Sequence, residues 1–139
     1  MKLTTIFALL ALALESLALF PHGNIYCYDM GSHFQSRDYV EQKLHVICHG
    51  ENGEAPTFTG TYTHDEARGV CYQERWGHKL WIQAQNLARE QSQQLDSTDC
   101  FDQFKYVLDS CWYAGHGGHS VNDKNGWDFR IDPGHDHCP

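Results

Sequence analysis

Two stretches of the chain repeat apolar residues at helical spacing, and several shorter stretches alternate. After Ser36, a side chain suited to capping a helix N-terminus, Val40, Leu44, Ile47 and Cys48 fall on one face, Lys43 and His45 lie toward the C-terminal half, and Gly50 closes the run. A second helix is predicted from a cap at Ser97. Asp99 favours its first turn, and Phe101, Phe104, Val107, Leu108 and Cys111 form its stripe. Between the helices, Thr57–Tyr62, Gly69–Gln73 and Lys79–Gln85 carry β-branched and aromatic residues in strand patterns, and Arg75–His78 supplies a hairpin loop. Gly126–Ile131 alternates as a last strand before the turn Asp132-Pro133-Gly134, and Asn24–Tyr28 reads as a short strand tied down by Cys27. Glu51–Pro56 and the Gly- and His-rich stretch 114–125 are predicted as loops. The resulting class is α+β: a four-stranded antiparallel sheet with two helices packed on one face.

The N-terminus follows a different pattern. Lys2 precedes an unbroken apolar run, Ile6–Leu14, and Ser16-Leu17-Ala18 places small residues where a signal peptidase reads. The run is too short to span a bilayer, so residues 1–18 are predicted to be a signal peptide, and residues 19–139 one secreted domain. About 120 residues suffice for a single modest core and leave no room for two. Cys27, Cys48, Cys71, Cys100, Cys111 and Cys138 follow the signal. Six cysteines in an exported chain read as a framework of three disulfides, with more pairings open than spacing can separate. Zinc sites built on close Cys-x-x-Cys pairs are absent.

The formal net charge of −8 survives signal removal, because Lys2 and Glu15 cancel. An acidic surface repels phosphate backbones and anionic lipid, which excludes nucleic acid and membrane insertion from the expected partners. Ten histidines make the surface potential depend on pH. Without an Asn-x-Ser/Thr sequon, N-glycosylation is not expected.

Several motifs are similar to those of secreted fungal glycan-binding proteins of the ink-cap mushroom type, a lectin-like family. They are Cys27-Tyr28-Asp29, Thr59-Gly60-Thr61-Tyr62, Glu66-Ala67-Arg68 and Cys71, then Leu95 before Asp99-Cys100, Cys111 and Gly117-Gly118. Trp127-Asp128-Phe129-Arg130-Ile131-Asp132-Pro133 before Cys138 completes the series. The resemblance extends from Cys27 to Cys138 and implies a single α/β domain, secretion and binding of a cell-surface glycan or glycoprotein. It also implies a toxin or effector role toward target cells. A host protein is the competing partner. No sugar-contacting motif carries over residue by residue, and the His-rich loop departs from the family pattern.

Sugar recognition needs an aromatic ring for the C–H face of a pyranose, and amides or carboxylates for its hydroxyl edge. Trp112, Tyr113, His116, His119, Asn122, Asp123 and Trp127 offer that combination and are the expected ligand-binding residues. The face carrying Trp81, Gln83 and Gln85, opposite Leu80, Ile82 and Ala84, is a second candidate, with packing or homodimer contact as its commoner use. His116 with His119, and His135-Asp136-His137, have side chains that suit zinc or copper. Nothing in their spacing aims them at one point, so no metal and no cofactor are expected. His64, Asp65, Glu66 and Arg68 are the residue types of a small secreted nuclease or hydrolase. All four fall in one turn where adjacent side chains point apart, so local ion pairing is the expected role and no catalysis is assigned. Edman sequencing of the exported protein is expected to start at Leu19, within about three residues; an intact Met1 terminus would overturn the signal peptide.

Overall fold

The computed structural model describes residues 22–122, 126–134 and 138. The expected signal peptide, Asp123 and the group His135-Asp136-His137 lie outside the described residues. The elements follow in the order β1 (Asn24–Cys27), α1 (Arg37–His49), β2 (Gly60–Tyr62), β3 (Ala67–Gln73), β4 (Lys79–Asn86), β5 (Gln93–Leu95), α2 (Ser97–Cys111), β6 (Gly118–Asn122) and β7 (Trp127–Pro133). The class is α+β, with an antiparallel sheet, two helices and three disulfides. The main sheet has five strands rather than the expected four, in the order β1-β6-β7-β4-β3, and β2 pairs with β5 in a separate two-stranded sheet.

Both helices form where the apolar spacing places them. Ser36 Oγ accepts from Tyr39 N at 3.3 Å at the start of α1, and Gly50 N–H reaches Val46 O at 2.8 Å at its end. The α2 cap is Asp96 rather than Ser97: its Oδ1 accepts from Asp99 N at 2.8 Å. Val40, Leu44, Ile47 and Cys48 of α1 and Phe104, Val107 and Leu108 of α2 share one buried cluster with Leu80, Ile82, Ala84, Phe129 and Ile131 of the sheet. Aromatic edges knit this cluster together. Phe104 meets Phe129 edge-on with centroids 5.2 Å apart, and Tyr62 meets Trp127 at 5.0 Å.

The expected strand Thr57–Tyr62 shortens to three residues and leaves the main sheet. The cause is a buried polar hub. Asn86, fully buried at the end of β4, donates from Nδ2 to the carbonyls of Tyr62, Thr63 and Gln91, while its Oδ1 accepts from Ala88 N. Those bonds hold the end of β2 beside the 87–92 segment instead of beside β3, and a satisfied buried network of this kind specifies one arrangement. The stretch expected as a loop contains β6. Its inward residues Gly118, Ser120 and Asn122 are buried but carry no apolar signal, so the alternation is invisible to hydropathy. Gly118 is required by contact, since a Cβ there would meet the Cys111 sulfur and the Tyr26 carbonyl.

The disulfides join Cys27 to Cys111, Cys48 to Cys100, and Cys71 to Cys138. The first ties β1 to the last turn of α2, the second ties the two helices, and the third brings the C-terminal end to β3. No described helix is long and apolar enough to cross a membrane. Three bridges fit an extracellular or otherwise oxidising compartment. Replacing Cys48 and Cys100 together by alanine is expected to lower stability by about 2–5 kcal/mol, read from denaturant midpoints; a midpoint equal to that of the parent would show that the helix pair holds without its covalent link.

Candidate functional site

Among the described residues, helices pack on one side of the five-stranded sheet, and every second strand residue faces the opposite side. That outer face is built from cross-strand rows. One row runs Tyr26, His119, Arg130, Gln83 and Gly69, each directly opposite the next across β1, β6, β7, β4 and β3. The neighbouring row holds Asn24, Val121, Asp128, Gln85 and Ala67. Asp132 and Trp81 stand opposite each other on the far side of the first row. At about 4.8 Å per strand, Tyr26 and Gln83 lie about 14 Å apart across the sheet, with a strip of polar side chains between them.

Aromatic groups flank the strip. Tyr26 is 53% exposed and meets His119 edge-on at 5.2 Å, and Tyr28 meets the same imidazole edge-on at 6.0 Å. On β4 the Trp81 indole lies across Gly69, where any Cβ would collide with the ring, and its Nε1 donates to Gln83 Oε1 at 3.3 Å. Glycine at position 69 is therefore what lets a tryptophan lie flat on this face.

The polar groups at the centre are incompletely satisfied. His119 Nδ1, Asp128 Oδ1 and Arg130 Nε are each buried without a hydrogen-bond partner, and Arg130 Nη2 approaches Asp128 Oδ2 only to 3.7 Å. Burial pushes the Asp128 carboxyl up, against the opposing pull of His119 and Arg130. Burial also raises the Tyr28 hydroxyl, with Arg130 opposing and Asp132 and Asp128 reinforcing. Three neighbouring side chains thus carry closed-off atoms without hydrogen-bond partners, set between aromatic rings.

Of the seven residues expected to bind ligand, the six that are described do not form one surface. Trp127 is 1% exposed and packs against Tyr62 and Phe129 in the core, because its position on β7 points to the helix side. Asn122, 7% exposed, also faces inward. Trp112 stacks on Phe34 at 5.4 Å with the Arg37 guanidinium 5.6 Å from its ring, so it closes the edge of the core. Tyr113 is 96% exposed just after α2, and His116 packs its ring 4.1 Å from His33. Of the described members, only His119 joins the outer face. The second candidate face, with Trp81, Gln83 and Gln85, is the one the structure assembles. Tyr26, Arg130 and Asp128 were missed as its partners; the alternation around Arg130 signals an outward position, but only strand pairing places Tyr26 beside it.

The turn with His64, Asp65, Glu66 and Arg68 is held by its own bonds. Arg68 pairs with Glu66 at 2.8 Å, donates to the carbonyls of Thr59 and Thr61, and lies 4.0 Å from the Tyr62 ring centroid. Backbone hydrogen bonding from Thr63 and the Arg68 pair lower the Glu66 carboxyl. This guanidinium staples β2 to β3. Among the described residues, no group of three or more His, Cys, Asp or Glu converges to hold a metal.

No family model, curated protein or solved structure matches this chain.

A raised folded-state pKa means that the native protein holds the Asp128 proton more tightly than the unfolded chain. Stability from this group is therefore present at acidic pH and lost as pH rises through the folded pKa. The Asp128→Asn variant is expected to melt above the parent at neutral pH, the gap closing as pH falls through the carboxyl range. A lower melting point for the variant at neutral pH would show that the carboxylate is a satisfied structural partner.

Proposed function

We propose that the protein is a secreted carbohydrate-binding protein of the lectin kind, and that the outer face of its five-stranded sheet receives the glycan. The observation carrying this reading is the row Tyr26–His119–Arg130–Gln83, in which an exposed ring borders imidazole, guanidinium and amide groups, with Asp128 in the next row. The ring suits the C–H face of a pyranose, and the part-exposed Arg130 guanidinium with the neighbouring His119 and Gln83 side chains suits its hydroxyls. The flat Trp81 indole borders the opposite edge. Export through the N-terminal signal and action on target-cell glycans as a fungal toxin or effector belong to the same reading.

A glycan array probed with the disulfide-bonded protein is expected to show saturable binding to a subset of sugars. The variants Tyr26→Ala and Gln83→Ala are expected to weaken that binding by about three- to tenfold without lowering the melting point. An array with no retained glycan at high protein concentration would remove the lectin reading and leave a host-protein ligand as the successor.

A further inference from the structure

A second feature lies away from the rows of the outer face, where β3 ends beside the first turn of α1. Gln35, Ser36 and Tyr39 from the start of the helix, with Gln73, Glu74 and Arg75 from the strand end, line a cleft of about 460 Å³. Glu74 is 9% exposed, and both of its carboxylate oxygens are buried with no hydrogen-bond partner. An ionised carboxylate withdrawn from water without donors costs several kcal/mol and persists only where the surroundings impose it. The surroundings here are well fixed: Glu74 N donates to His78 O at 2.7 Å, and Gln35 Nε2 donates to Arg75 O at 3.2 Å across the cleft.

Neither Arg75, which lines the same cleft, nor the nearby His78 hydrogen-bonds this carboxylate. Lys43 Nζ sits 5.2 Å from the Tyr39 ring centroid and 5.0 Å from that of Tyr72, engaged by the two rings. Burial raises the Glu74 carboxyl, with His78 pulling the other way. A metal ion would call for further carboxylate or imidazole ligands, and no such group of three occurs among the described residues. The lining carries one negative side chain, Glu74, and one positive, Arg75, so the unpaired carboxylate oxygens rather than net charge select the ligand. A planar group with two parallel N–H donors matches two orphaned oxygens of one carboxylate.

We propose that this cleft is a binding site for a guanidinium group, with the Glu74 carboxylate as its receptor and Tyr39 as its aromatic wall. The source is either a small guanidinium compound or an arginine of a partner protein. Trp76, one residue beyond the lining, bears on that distinction. Its side chain is 91% exposed at the hairpin tip and its backbone is held at φ 66°, a conformation uncommon outside glycine, so the ring is presented to solvent at a conformational cost. A partner chain carrying an arginine would bring its flanking residues past this exposed tip, as a lone guanidinium would not.

The test is a nuclear magnetic resonance titration of the disulfide-bonded protein with methylguanidinium chloride, against sodium chloride at equal ionic strength. Saturable shifts of the Gln35, Tyr39 and Gln73–Arg75 amides are expected, and Glu74→Gln should weaken them by about tenfold or more. A short peptide with one arginine forms the second arm: tighter binding that Trp76→Ala cancels identifies a protein source, and affinity no better than methylguanidinium identifies a small molecule. Absence of saturable shifts with both probes, or equal affinity in Glu74→Gln, overturns the site. So does a Glu74→Gln variant that melts below the parent, because an unpaired buried carboxylate should be relieved by its neutral isostere. Glycan binding on the sheet face is read separately and should be unchanged in Glu74→Gln.

Discussion

Helix α2 is fastened at both ends, and the rest of the molecule is arranged around that fact. Cys100 in its first turn is bonded to Cys48 of α1, and Cys111 in its last turn to Cys27 of β1. Between the two anchors, Phe104, Val107 and Leu108 are pressed on the sheet. A domain of this size buries a limited apolar area, so removing conformational freedom from the unfolded chain contributes a large share of its stability. The anchoring also dictates sequence at a distance. The Cys111 sulfur lies where a side chain at position 118 would be, so β6 carries glycine there and can pass close to β1.

That close passage positions the outer face. Because β6 pairs with β1 on one side and β7 on the other, Tyr26, His119 and Arg130 stand side by side although they are far apart in the chain. An antiparallel sheet covered on one side ordinarily presents solvated polar residues on the other. Here the polar atoms are crowded enough to lose water without gaining partners, at His119, Asp128 and Arg130 together. Buried unpaired atoms occur elsewhere too, at Glu74, His116 and Ser120, and the outer face is where three such side chains are neighbours.

Glu74 shows the same imbalance in another setting. The sheet face combines donors and acceptors of both signs with aromatic rings, which matches hydroxyl-rich ligands. The Glu74 cleft sets one carboxylate beside the Tyr39 ring and Arg75, and its unpaired oxygens are what the proposed guanidinium would meet. The contrast with Arg68 is instructive. Its guanidinium satisfies Glu66 and two backbone carbonyls, so Arg68 spends its hydrogen bonds on the fold.

By itself the sequence determined both helices, the Ser36 cap, and strands β1, β3, β4 and β7. Six cysteines after an apolar leader likewise set the expectation of a bridged domain, though not which cysteine meets which. Tertiary structure decided the remainder. Strand β6 escapes hydropathy because it buries Gly118, Ser120 and Asn122, and β2 leaves the main sheet because Asn86 captures its carbonyls. Trp127 went to the core and Tyr26 to the surface for the same reason. A strand's pattern shows which residues share a side, but only pairing across the sheet shows which side is covered and which residues of other strands become neighbours.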